Sequence, residues 1–292
     1  MMKTIFKATL ATAALVATGL AFTACDDVKE GDRYIFLGET KAERNVLLED
    51  FTGQFCSNCP DAHHIIEQLE AQYGSDKVIA VSIHCGGLAL SKQYTDFPSG
   101  LIGLMTEEGN TIMSTYGVKE WPMGSVNMAA ATDRFQWAGQ VRTALEQPTD
   151  VKIDLTVGFE ADEANPNVGT INMKADVMSG SDRNAKVQFW VVESGIVASQ
   201  RLENGSTDDN YVHNNVFRGM AYDLNGYAVD FKAGIAQTVE TNMQAVWNGQ
   251  EHWRVENLAV VAIVFDGSGV LNVVRKQVIP KSEPETPEEE EK

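Results

Sequence analysis

Residues 45–60, NVLLEDFTGQFCSNCP, restrict the fold more than any other stretch of the chain. Val46, Leu47 and Leu48 form an apolar run suited to a buried strand. Thr52-Gly53 interrupts it, and Cys56 and Cys59 follow with Ser57-Asn58 between them. Pro60 comes next, a residue tolerated in a first helical turn because its missing N–H would have no partner there. Ile65, Ile66, Leu69 and Tyr73 then recur at helical spacing. The cysteine pair therefore lies at a helix N-terminus. Free backbone N–H groups and the partial positive charge of that end favour a thiolate over a thiol.

A core is affordable in a chain of 292 residues that is 43% hydrophobic and 22% charged. The formal charge of -18 repels phosphate backbones, which argues against nucleic acid as a partner. Residues 1–24 read as a signal peptide: Lys3 and Lys7 precede the apolar stretch Ala8 to Phe22, and Thr23-Ala24 supplies small residues before Cys25. Phe22-Thr23-Ala24-Cys25 resembles a bacterial lipobox with Phe in place of Leu, so Cys25 is expected to be lipidated; ordinary cleavage leaving a free Cys25 is the alternative. Residues 25–32 form an acidic tether that resembles a surface-export signal. Export favours a persistent disulfide. Cys85 is left over and reads as a buried small hydrophobe.

Along the chain, Tyr34–Leu37 is a candidate strand, 45–51 a second, 60–73 a helix ended by Gly74, and 78–83 a strand parallel to the second. Residues 86–105 read as an insertion, 110–116 as a short helix, and Trp121-Pro122 leads into a strand at 123–128. A helix is expected over Asp133–Glu146, capped by Thr132, with Phe135, Trp137, Val141 and Leu145 on its apolar side. At Pro148-Thr149 the period changes to two. Val151, Ile153, Leu155, Val157 and Phe159 alternate with polar residues, and Ile171 to Val177 repeat the pattern. Strands are also expected at 186–193, 238–246, 256–265 and 270–279, with Asp266-Gly267-Ser268-Gly269 as a hairpin turn. Residues 149–280 thus read as an all-β antiparallel sandwich, and the Glu-rich tail 281–292 as disordered. The halves are expected to separate near Pro148.

The order of elements over 33–147 resembles the thioredoxin fold. Asp50, Phe51 and Phe55 stand before Cys56 where that fold carries a buried Asp, an aromatic and a Trp, and Trp121-Pro122 falls at its cis-proline. Over almost its whole length the chain also resembles the 28-kilodalton outer-membrane-protein-related lipoproteins of Gram-negative bacteria, through the lipobox, DFTGQFCSNCP and YVHNNVFRGM. The resemblances imply an α/β thioredoxin-like domain followed by a β-sandwich, lipid-anchored at the outer membrane. Two departures, Ser57-Asn58 between the cysteines and the bulky Trp121 before Pro122, weigh against general reductase activity.

The leading functional reading is thiol–disulfide exchange on envelope or surface proteins. Cys56 attacks, Cys59 resolves, Asp50 takes the resolving thiol's proton, and Pro122 orients the partner beside Trp121 and Phe55. The other reading is a surface binding protein or adhesin with a structural disulfide. His213, Asn214 and Arg218 form either a binding edge or an internally bonded loop. Cys59 and His63 lie one helical turn apart, with His64, His84 and Cys85 as further soft or imidazole donors. A second matching cysteine pair is missing, so no metal and no cofactor is assigned.

Overall fold

The structure, a computed structural model, describes residues 42–91, 95–96, 101–166, 168–246 and 253–278. The signal peptide, Cys25, the acidic tether, the candidate strand Tyr34–Leu37 and the tail 281–292 lie outside the described residues. Among those described, no helix is long and apolar enough to cross a membrane.

Strand β1 (Val46–Thr52) is buried at every position and pairs in parallel with β2 (Val78–His84), Val46 opposite Val78 and Thr52 opposite His84. The crossover between them is α1 (Cys59–Tyr73). It buries Cys59, Ala62, Ile66 and Leu69, a stripe at steps of three and four residues. Gly74 ends it at φ 99°, returning its N–H to the carbonyl of Glu70. The expected insertion holds a short pair, β3 (Thr95–Asp96) and β4 (Leu101–Ile102).

Helix α2 (Glu107–Thr115) begins three residues before the expected start, because Thr106 caps it. The Thr106 hydroxyl accepts from the Gly109 N–H at 2.9 Å, and Glu107 and Glu108 occupy the first turn, where acidic side chains suit the helix dipole. Strand β5 (Met123–Val126) runs antiparallel to β1, and the two-residue β6 (Thr132–Asp133) follows. The expected helix 133–146 is shorter: α3 spans Trp137–Leu145, behind a 3₁₀ turn, Arg134–Gln136, capped by Asp133 rather than Thr132. That turn throws Phe135 outward to 72% exposure, so it does not join the apolar face as expected.

Past α3 the chain is all strand: β7 (Val151–Ala161), β8 (Gly169–Ser179), β9 (Arg183–Glu193), β10 (Ile196–Arg201), β11 (Thr207–His213), β12 (Val216–Met220), β13 (Tyr227–Phe231), β14 (Ala236–Ala245), β15 (Leu258–Asp266) and β16 (Gly269–Gln277). The sheet β14-β8-β7 packs Ile153, Leu155, Ile171 and Val177 against Phe189, Val191, Val260 and Ala262 of β9 and β15. Two sheets thus face each other over an apolar core, as the alternating pattern suggests for this stretch, although the larger sheet is mixed. The period-two signal is clean only in its outer sheet; β9 is buried on both faces, because Trp190 and Val192 enter a second core with Leu47, Phe51, Ile83 and Ile112.

That second core reflects an unforeseen connection. The large sheet runs β16-β15-β9-β12-β2-β1-β5-β6, with β12 parallel to β2 and Val216 opposite Ser82. The type of element does change between α3 and β7, where the boundary near Pro148 was expected. Hydrogen bonds nevertheless cross it. Asn272 of β16, 3% exposed, donates to the carbonyls of Glu43 and Val151 and accepts from the backbone N–H of Asn45.

Candidate functional site

Cys56 and Cys59 form a disulfide at the N-terminus of α1, as their position predicts. The loop that carries them is covered by β10. Gln200 donates to the carbonyl of Cys56 at 2.9 Å, and the Arg201 N–H donates to the carbonyl of Gln54 at 2.8 Å. The Gln54 side chain, 2% exposed, donates to the carbonyl of Ile102, and the Phe55 N–H donates to that of Leu88. Gly53 makes this close approach possible, since a Cβ there would meet the Leu88 carbonyl oxygen at 2.5 Å. Cys56 is left 3% exposed and Cys59 fully buried.

A histidine cluster lies along the same seam. His63 is on α1, His84 at the end of β2, and His213 at the end of β11. His84 and His213 meet edge to face with ring centroids 5.2 Å apart, and Tyr211 packs on His213 at 4.9 Å. His63 Nε2 faces Asp50 Oδ2 at 3.4 Å and Thr52 Oγ1 at 3.0 Å; His63 Nδ1 lies 2.8 Å from the Tyr211 hydroxyl. Asp50, His63 and Tyr211 thus stand in a row of polar groups. Its outer end borders a polar cavity of about 290 Å³, lined also by Glu70, Asn214, Asn215 and Arg275.

Burial sets the charge state of the inner rings. It drives His84 well below the ordinary imidazole range, and the charges of His213, His63 and Arg218 push the same way. Burial, with the His63 charge behind it, takes His213 down to about 3. Both are neutral at pH 7. The Tyr211 hydroxyl is pushed up to about 12 by burial and nearby carboxylates. Cys85 is a free, buried thiol raised to about 12 by burial, and so unreactive.

The residues picked out in the sequence divide into groups. Asp50 is fully buried rather than set in solvent at a strand end. The Trp121–Pro122 bond is cis, as expected, and leads directly into β5. Trp121 packs over Gly86, while Phe55, 44% exposed, stands on the surface of the loop. In YVHNNVFRGM, Tyr211 and Asn214 border the polar cavity, but His213 and Arg218 are 1% and 5% exposed. Arg218 instead pairs with buried Glu193 at 3.3 Å and lies over the Trp253 ring at 5.6 Å. Asn215, at φ 55°, holds Glu70 and Arg275 together, the internally bonded loop weighed against a binding edge. Among the described residues no three of His, Cys, Asp and Glu are placed to hold a metal ion. Sequence reasoning missed Gln54 and Gln200, which fasten the loop; nothing local marks an interior glutamine in advance.

No curated protein matches the chain. Among solved structures, HBP35 of Porphyromonas gingivalis aligns over 84% of this chain and 79% of its own, with 16% identity and a TM-score of 0.60, a likeness of fold. A domain of the outer membrane lipoprotein Omp28 from Porphyromonas gingivalis matches over 46% of this chain and 92% of its own, at 18% identity and a TM-score of 0.29. The family model for outer membrane protein Omp28 matches residues 109–282. That stretch is more than half the chain, and the protein belongs to the Omp28 family of outer membrane proteins.

Proposed function

We propose that this outer-membrane protein is a lipoprotein, anchored through Cys25, that works by binding at the cell envelope, and that its disulfide is structural. One observation carries the reading: Cys56 and Cys59 are 3% and 0% exposed, beneath hydrogen bonds from Gln200 and Arg201. Exchange requires in-line attack on a sulfur atom, which this cover obstructs. The parallel β1–α1–β2 unit, the antiparallel β5 and the cis-proline support a thioredoxin-like frame that has given its usual substrate face to its own hairpin. Titration of the pair against dithiol buffers should give a midpoint below about -300 mV. Mixed disulfides between Cys56 and envelope proteins, accumulating in a Cys59→Ser variant, would overturn the structural reading.

Thiol–disulfide exchange is the second reading, favoured by the helix N-terminus behind Cys56 and by the Asp50–His63–Tyr211 chain. It requires β10 to lift. Mass spectrometry of the mature N-terminus tests the anchor: two or three acyl chains on Cys25 give stable membrane attachment.

A further inference from the structure

The opposite face of β1 holds a site unrelated to the disulfide. Glu49 shares that face with Leu47 and Phe51, since alternate residues of a strand point the same way. Its side chain is fully buried at the base of a cavity of about 440 Å³. Ile112, Met128, Trp190 and Leu224 line the walls, and the exposed Thr115 and Ala130 stand at the mouth. Tyr116 donates its one hydroxyl hydrogen to the carboxylate, 2.9 and 3.0 Å from its two oxygens. The Ser125 hydroxyl, which donates to the carbonyl of Ala129 at 2.9 Å, and the backbone of Met128 also stand beside the carboxylate and favour its ionised form. No described basic side chain pairs with Glu49. A buried carboxylate without a cation is uncommon and costly.

The backbone beside it is also unusual. Asn127 and Met128 both have positive φ, 55° and 60°. Asn127 has a structural reason, bonding Leu47 through its side chain and backbone. Met128, also left-handed, lines the cavity wall with its backbone hydrogen-bonded to Glu49. Such conformations concentrate at ligand clamps.

We propose that this cavity binds a small hydrophobic primary amine, its ammonium group paired with Glu49 and its apolar body against Trp190, Ile112 and Met128. The volume suits a molecule the size of a single aromatic ring with a short chain. The ammonium supplies the charge that Glu49 lacks, in a charge-assisted hydrogen bond. A chain of net charge -18 draws cations toward its surface. Gln188 cannot compete as the polar partner, because it donates to the carbonyl of Asp223 and accepts from Trp190 Nε1. The site stands whether or not the disulfide is structural.

Calorimetric titration of the full chain with 2-phenylethylamine tests the site. One saturable event is expected, with Kd below about 1 mM, and the neutral 2-phenylethanol should bind at least about tenfold more weakly. Glu49→Gln should cost the amine about the same factor and leave the alcohol unchanged. Should that variant fold poorly, Ala130→Trp blocks the mouth with Glu49 intact and should abolish binding. Burial raises the Glu49 carboxyl to about 7, so amine affinity should rise from pH 6 to pH 8 as it ionises. Tyr116, the other titratable group facing it, stays neutral there, because burial and the Glu49 charge hold its hydroxyl above its usual range. Absence of binding, equal affinity for the alcohol, or undiminished affinity in Ala130→Trp would overturn the proposal.

Discussion

Glu49 and Asp50 are neighbours in one strand, both fully buried, and the protein treats them in opposite ways. Asp50 faces α1, where His63 stands 3.4 Å away and the β10–β11 hairpin covers the loop nearby. Glu49 faces α2 and meets the Tyr116 and Ser125 hydroxyls, the Met128 backbone and a cavity open to solvent. On the first face an imidazole occupies the space before the carboxylate, whereas on the second a cavity is left there. Burial alone therefore does not mark a working carboxylate; what occupies the space before it decides. The neutral rings behind the first face and the carboxyl of the second also respond to acid in opposite directions.

Removing a wall should separate the two faces most sharply. Trp190, 1% exposed, borders the Glu49 cavity and packs edge to face on Phe217. Trp190→Ala should cost about 3–5 kcal/mol in urea unfolding. The rate at which dithiothreitol reduces the disulfide under native conditions should stay unchanged; a large acceleration would mean that the two faces are coupled.

Acid titration comes next. His213 sits near 3 when folded against an ordinary 6.5, so the unfolded chain binds more protons between those values. Its contribution is present above pH 6.5 and is lost as pH falls toward 3, by on the order of 5 kcal/mol. His84 acts in the same direction. Glu49 does the reverse: raised from 4.5 to about 7, it contributes fully below pH 4.5 and loses that contribution as pH rises through 7. His213→Phe, which keeps the ring packing, should flatten the acid-side loss, and Glu49→Gln should steepen it. Parallel curves for both variants and the parent would show that neither group titrates as its surroundings require.

Gln200→Ala should be milder. It strips a donor from the carbonyl of Cys56 under β10, at about 1–3 kcal/mol, and should speed disulfide reduction. An unchanged reduction rate would mean that β10 is not what shields the sulfurs. The smallest effect belongs to Asn214→Ala. Among the described residues its side chain accepts from the exposed Gly195 N–H, and the loss should stay within about 1 kcal/mol. A larger loss would mark Asn214 as part of the seam rather than its rim.

What the sequence determined by itself was local. Cysteines two residues apart before a proline and an apolar stripe placed the disulfide at the start of α1, because helix entry is governed by neighbouring residues. Alternation in 151–159 and 171–177 likewise gave β7 and β8, since one face of each looks to water. Strands β10 to β13 escaped notice: they are short and lack that alternation, and tertiary partners override local preference there. Only the tertiary structure decided that β12 would lie parallel to β2, joining the halves, and that Gln200 would reach the Cys56 carbonyl from 144 positions away. The same long-range packing set His63 against Tyr211, and it left one cavity before Glu49 and another beside the imidazole that meets Asp50. Those outcomes depend on which surfaces meet, and no pattern within a window of residues records them.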